Sequence, residues 1–144
     1  MISGNPRETA RDIMSTGAEC IAAHETLDRA AQMMREKDVG ALPVCGPDDR
    51  VTGIITDRDI VLKCVAAGHD PSSVTAGDLA VGLVWVPSDA TVQEALARVE
   101  EHRIKRLPVM ENGRIVGMIT EADLARHLPD GELAEFVHRV YAMR

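Results

Sequence analysis

Apolar and polar residues along this chain form a pattern of short strands and amphipathic helices. Three apolar runs, 20–23, 41–45 and 51–55, have the length and the flanking turn residues of strands. Apolar positions at helical spacing lie between the first two runs and predict an amphipathic helix that begins after Thr26. A second helix, from Asp57 to about Ala67, closes the block.

The same order of elements recurs about 65 residues later. Strand-like runs lie at 81–86, 106–110 and 115–119, an amphipathic helix begins after Thr91, and a closing helix covers 121–128. Such self-similarity is the signature of an internal duplication.

Two short motifs fix the register of the duplication. Gly-Ile-Ile-Thr-Asp-Arg-Asp at 53–59 recurs as Gly-Met-Ile-Thr-Glu-Ala-Asp at 117–123, and Leu-Pro-Val at 42–44 recurs at 107–109. With a short helix predicted in front, each repeat has the order helix-β-α-β-β-α. Because a β-α-β crossover makes its two strands parallel, the third strand of each repeat is expected to pair antiparallel through a hairpin.

The predicted organisation is α+β. We expect a first repeat at 9–68, a linker at 69–74, a second repeat at 75–129 and a C-terminal amphipathic helix at 130–144. The apolar face of that last helix suits either packing on its own domain or a partner surface. Its residues share helical spacing: Leu133, Phe136, Val137, Val140 and Tyr141.

Composition excludes several classes of function. The chain has 144 residues, with 16 basic and 23 acidic ones and a net charge of −7, which argues against nucleic acid and anionic membranes as partners. It has one Trp, one Tyr and one Phe, too few for a stacking platform. Without a secretory signal or an apolar run of membrane-spanning length, we expect a cytoplasmic protein.

No catalytic or metal-binding motif is present in the sequence. The five histidines and three cysteines lack the spacing of known metal sites, and no nucleophile elbow or Walker loop occurs. We therefore expect a protein that is not an enzyme and holds no metal.

The doubled Gly-apolar-apolar-Thr-x-x-Asp motif, each copy preceded by Leu-Pro-Val and a hairpin, resembles a tandem pair of CBS domains, the Bateman module. At finer grain, the segments 35–46, 56–61 and 120–129 resemble the mycobacterial hypoxic response protein family of stand-alone CBS pairs. The resemblance implies two repeats packed around a pseudo-two-fold axis, a homodimer formed through the CBS repeats, and clefts that bind adenosine-containing ligands. It implies a regulatory protein, in a stress or hypoxia response, that signals to an unidentified protein partner.

The resemblance also implies a set of ligand-binding residues for AMP, ADP, ATP or another adenosyl ligand, with no cofactor required. Asp59 and Asp123 would accept hydrogen bonds from ribose hydroxyls, and Thr56 and Thr120 would lie at phosphate-binding helix N-termini. Adenine slots and phosphate-binding cations would come from residues around them: Ile21, Ala22, Ala41, Val84, Trp85, Leu107, Arg58, Lys105 and Arg106.

An alternative needs no ligand. Thr followed three residues later by Asp is also a helix N-cap, worth about 1 kcal/mol of stability. The protein would then be a ligand-free scaffold or interaction protein, and the motif would be a cap and fold determinant. Trp85 suits the core or an interface as well as base stacking, and the basic pair Lys105-Arg106 suits a solvated rim.

Cys20 and Cys45 fall in the first two strands of one repeat. Because the crossover makes these strands neighbours, a disulfide is one prediction. Two reduced, buried thiols in a reducing cytosol are the other. Cys64, on a helix, is expected to stay reduced.

Overall fold

The structure is a computed structural model of the chain, and it describes residues 8–128 and 130–141, the last three of these without their side chains. Pro129, the predicted end of the second repeat, lies outside the described residues, as do the side chains of Val140 and Tyr141 in the predicted apolar face.

Both sequence repeats have the predicted order of elements. The first repeat contains α1 (Ala10–Ile13), β1 (Ile21–Ala22), α2 (Leu27–Lys37), β2 (Ala41–Cys45), β3 (Val51–Thr56), α3 (Asp57–Asp59) and a π-helix, π1 (Ile60–Val65). The second repeat contains α4 (Ala76–Leu79), β4 (Val86–Pro87), α5 (Val92–His102), β5 (Arg106–Glu111), β6 (Arg114–Thr120) and α6 (Glu121–Ala125). The C-terminal helix α7 (Asp130–Tyr141) follows.

Each repeat contributes one three-stranded sheet, and the predicted strand pairing is confirmed. The sheet orders are β1-β2-β3 and β4-β5-β6, with the first pair of strands parallel and the second antiparallel in each. The mixture of helices and strands confirms the α+β class.

Three predicted elements differ from the structure. The strand predicted at 81–86 is only Val86–Pro87, because Val81 instead forms an isolated antiparallel bridge with Ile54. The first closing helix is not α-helical throughout: after three residues it becomes π1, in which the Ala66 N–H donates to the Val61 carbonyl at 2.8 Å. The second closing helix ends at Ala125, not at residue 128.

The compact units of the structure do not coincide with the two sequence repeats. Unit A is the continuous segment Ala18–Leu83, whereas unit B combines the described residues up to Gly17 with the described residues from Val84 onward. Helix α1 therefore belongs with the strands of the second repeat, and α4 belongs with those of the first. Isolated bridges Thr9–Thr91 in unit B and Thr26–Thr75 in unit A join each leading helix to the amphipathic helix of its unit.

Each unit has its own apolar core, and each core includes the leading helix of the other repeat. Ala10 and Ile13 of α1 are buried in the core of unit B, and Ala76 of α4 in that of unit A. Phe136 of α7 is 2% exposed in the core of unit B, with Leu133 packed against it, whereas Val137 remains 45% exposed. One face of α7 therefore packs on its own unit.

A disulfide links the first two strands of unit A. Cys20 and Cys45 are bonded with their Cα atoms 5.7 Å apart, so of the two alternatives for this pair the structure has the disulfide. Cys64 is free and fully buried. The bond fastens β1, which is only two residues long, to the end of β2.

Reduction of this disulfide is expected to destabilise the protein. Closing a loop across 25 positions restricts the unfolded chain and should contribute about 3 kcal/mol to the free energy of unfolding. Thiol titration in denaturant should find one free thiol without reductant and three with it, and urea unfolding should shift to lower concentration after reduction. Cys64→Ala, which leaves the bond intact, is the control; three thiols without reductant would contradict the assignment.

Candidate functional site

The two motif copies occupy equivalent places, where the third strand of each repeat ends and a helix begins. Thr56 ends β3 and Thr120 ends β6, and each is the N-cap of the following helix. The Thr56 hydroxyl accepts from the Asp59 N–H at 3.0 Å, and the Asp59 carboxylate accepts from the Thr56 N–H at 3.0 Å. Reciprocal bonds of this kind form a capping box, and the second copy has one as well.

The carboxylate of Asp59 has room for a further partner. One oxygen accepts the Thr56 N–H, and the other lies 3.3 Å from the Lys63 ammonium group on π1. The Asp59 side chain is 21% exposed and that of Lys63 is 49% exposed. An ion pair this open to solvent is weak and easily exchanged.

The carboxylate of Asp123 is much more enclosed, and its side chain is only 2% exposed. One oxygen accepts from the Thr120 N–H at 2.9 Å and from the Thr120 hydroxyl at 3.0 Å. The Ser15 hydroxyl lies 3.3 Å from both oxygens, and the Arg126 guanidinium pairs with the second one. Asp123 is the one buried charged residue among those the structure describes.

The strand register places some of the predicted residues together. Arg106 lies directly opposite Thr120 across β5 and β6, next to Lys105, and Ala41 lies opposite Thr56 across β2 and β3. The second motif thus has a basic residue beside its threonine where the first has alanine. Arg58, within the first motif, is exposed.

The residues predicted to line adenine slots are more scattered. Ile21 and Ala22 pair with the far end of β2, three and four positions along that strand from Ala41. Ile21 and Leu107 are buried in the cores of their units, at 2% and 0% exposure. Val84 packs on the core of unit B, whereas Trp85 keeps 43% of its surface exposed.

The motif glycines admit a neighbouring backbone segment. A Cβ atom on Gly53 would lie 2.9 Å from the Ala80 Cβ and 3.0 Å from the Val81 carbonyl oxygen. A Cβ atom on Gly117 would lie 3.0 Å from the Ser15 carbonyl oxygen. These segments follow the leading helices and form bridges to β3 and β6, so the two glycines have a structural role in packing.

Sequence reasoning missed three residues that contact the motif carboxylates. Lys63 and Arg126 follow Asp59 and Asp123 by four and three positions on a helix, a spacing that favours ion pairs and was available in the sequence. Ser15 is 108 positions from Asp123, and nothing local in the sequence indicates their contact.

The described part of the chain contains no group of three or more His, Cys, Asp or Glu side chains that could hold a metal ion. Within the same residues, no helix is both long and apolar enough to cross a membrane.

Comparison with known proteins identifies the repeats. The family model for the CBS domain matches residues 10–65 and again 76–130. Hypoxic response protein 1 of Mycobacterium tuberculosis is 53% identical over 133 residues, which cover 92% of this chain and 93% of that protein. A crystal structure of Hypoxic Response Protein I with two coordinated zinc ions is similar with a TM-score of 0.78 and 56% identity, covering 85% of this chain and all of that one. A putative signal-transduction protein with CBS domains from Burkholderia ambifaria gives a TM-score of 0.74 at 25% identity, with 83% and 92% of the two chains covered.

Proposed function

Because this chain belongs to the CBS-domain family, we propose that it is a non-catalytic, cytoplasmic regulatory module that binds an adenine nucleotide and signals to a protein partner. The name of its mycobacterial relative supports a role in the response to hypoxia or a related stress. Signalling would require that the ligand bind one conformation of the module more tightly than another.

The accessible carboxylate of Asp59 is the observation that carries this proposal. A carboxylate provides about four lone-pair sites, and the capping box uses one of them through the Thr56 N–H. The weak pair with Lys63 leaves the other oxygen able to accept from two adjacent ribose hydroxyls. Capping and ligand binding are therefore compatible at this residue.

The alternative is a ligand-free interaction protein in which the motif only caps helices. The complete capping boxes at Thr56–Asp59 and Thr120–Asp123 support it, since each is sufficient reason for a protein to keep its threonine and aspartate. Another capping box in unit A, Thr75–Asp78, has the same reciprocal bonds at 3.1 and 3.2 Å and no part in the predicted ligand site. It provides a matched control.

The module is also proposed to form a homodimer. Three large apolar side chains on π1 are exposed: Val61 at 54%, Leu62 at 49% and Val65 at 57%. In the second repeat, the positions that correspond to Val61 and Leu62 are Ala125, the last residue of α6, and Arg126, its C-cap. The first repeat thus has an apolar surface that the second lacks, as expected for a contact between copies.

Nucleotide binding should stabilise the protein. At 100 times its dissociation constant, a ligand adds about 2.7 kcal/mol to the free energy of unfolding, which corresponds to a rise of roughly 5–10 °C in the midpoint. We expect such a rise with at least one of AMP, ADP, ATP, NAD and S-adenosylmethionine, and its loss in Asp59→Ala.

The control for this experiment is Asp78→Ala. It removes an equivalent cap in the same unit but should keep the ligand-dependent rise. Hydrogen bonds from the Thr75 backbone and then its hydroxyl lower the pKa of Asp78, so the control box is ionised and intact at neutral pH. The ligand-free alternative would be correct if no nucleotide raised the midpoint, or if Asp59→Ala responded as fully as Asp78→Ala.

The dimer is tested by light scattering on the eluting protein. The wild type should have twice the 15.6 kDa chain mass, and Val61→Glu with Val65→Glu should give monomer because two charges would be buried at the contact. Val137→Glu, on an exposed position of α7, should leave the dimer intact. A monomeric wild type, or a double variant that stays dimeric, would rule this surface out.

A further inference from the structure

We propose that a contact within the chain blocks the second motif. The Ser15 hydroxyl takes up acceptor capacity of the Asp123 carboxylate, so each chain binds one nucleotide, at Asp59. The part of this inference that concerns the nucleotide rests on the proposed function. The contact between Ser15 and Asp123 is a property of unit B alone and can be tested without ligand.

Asp123 has no acceptor capacity left for a ribose. Its two oxygens, with about four lone-pair sites, receive the Thr120 N–H and hydroxyl, the Ser15 hydroxyl and the Arg126 guanidinium. At 2% exposure, the side chain is also closed to a ligand. A nucleotide could reach the carboxylate only if the Ser15 hydroxyl were absent or displaced, since the Arg126 side chain is 64% exposed and can move away.

Asp59 differs in both respects. Its carboxylate has two partners, the Thr56 N–H and the Lys63 ammonium group, and the side chain is 21% exposed. Lys63 is half exposed and flexible, and it can move from the carboxylate toward a phosphate of the incoming nucleotide. The first motif is therefore open where the second is closed.

Two side chains cause the difference: Arg126, whose duplicated position is Leu62, and Ser15, whose counterpart is identified by the bridges that the two segments make. Ser15 forms a bridge with Met118, which precedes Asp123 by five positions. Val81 forms the same bridge with Ile54, which precedes Asp59 by five positions. The carbonyl oxygen of Ser15 lies 3.0 Å from a Cβ position on Gly117, and that of Val81 lies 3.0 Å from one on Gly53. Val81 thus takes the place of Ser15 in unit A, and valine has no hydrogen to donate to Asp59.

The contact is tested first by a double-mutant cycle in urea and thermal unfolding. Ser15→Ala and Asp123→Ala should be non-additive by roughly 2–4 °C in midpoint, since both remove the contact between Ser15 and Asp123. Val81→Ala and Asp59→Ala, at the equivalent positions, should be additive. If the double variant does not fold, Asp123→Asn replaces Asp123→Ala. Additive effects of Ser15 and Asp123 would overturn the inference whatever the ligand does.

The ligand half is tested by equilibrium dialysis with AMP as the probe. The wild type should bind about one AMP per chain and Ser15→Ala about two, whereas Ser15→Thr, which keeps the hydroxyl, should still bind one. Placing the hydroxyl in the first motif with Val81→Ser should weaken AMP binding at least tenfold, and Val81→Ala should leave it unchanged.

The outcomes separate the two proposals. Two AMP per wild-type chain, or one per chain in Ser15→Ala, would overturn the inference and leave the proposed function standing. If AMP bound neither the wild type nor any variant, AMP binding and the claim of one nucleotide per chain would be overturned. A non-additive Ser15–Asp123 cycle would in that case still confirm the Ser15 contact.

Discussion

In both units, a backbone carbonyl lies against a glycine of the third strand, 3.0 Å from where a Cβ atom would be, which is closer than most Cβ contacts in proteins. The carbonyls belong to Ser15 and Val81, and the glycines are Gly117 and Gly53. This close approach lets the segment that follows each leading helix pack on the sheet of the other repeat. Ala10 and Ala76, on the leading helices, are thereby buried in the cores. The close approach also places the Ser15 hydroxyl against the Asp123 carboxylate in unit B and gives Val81 the equivalent backbone position in unit A. The chemistry of each motif thus follows from a packing constraint.

Local physics made most of the fold predictable from sequence. The capping boxes, the hairpins and the parallel pairing all depend on residues within about 30 positions of one another, and the duplication gave each element a second copy. The exchange of α1 and α4 between the units was not predictable, because each repeat has the same apolar pattern and either helix suits either core. The change from α3 to π1 likewise has no signal in the apolar spacing.

The candidate site was predictable in part. Thr56 with Asp59, and Thr120 with Asp123, lie where the motif indicates, and Arg106 lies beside Thr120. What the sequence could not indicate was how many partners each carboxylate has. That number depends in part on Ser15, which is distant in sequence, and it makes two motifs of the same pattern chemically unlike. The basic pair Lys105-Arg106 accompanies the enclosed aspartate, and the disulfide and the open aspartate belong to unit A.

The packing of each leading segment on its sheet depends on the glycine contact, and the stability of Gly53→Ala measures that contact most directly. The added Cβ would meet the Ala80 Cβ and the Val81 carbonyl, neither of which can rotate away, so we expect a loss of roughly 1–3 kcal/mol in urea unfolding. Gly82→Ala, where a Cβ atom would meet nothing within 4 Å, should change stability by less than about 0.5 kcal/mol. Equal stability of the two variants would contradict the close approach of the Val81 segment to β3, on which the equivalence of Val81 and Ser15 depends.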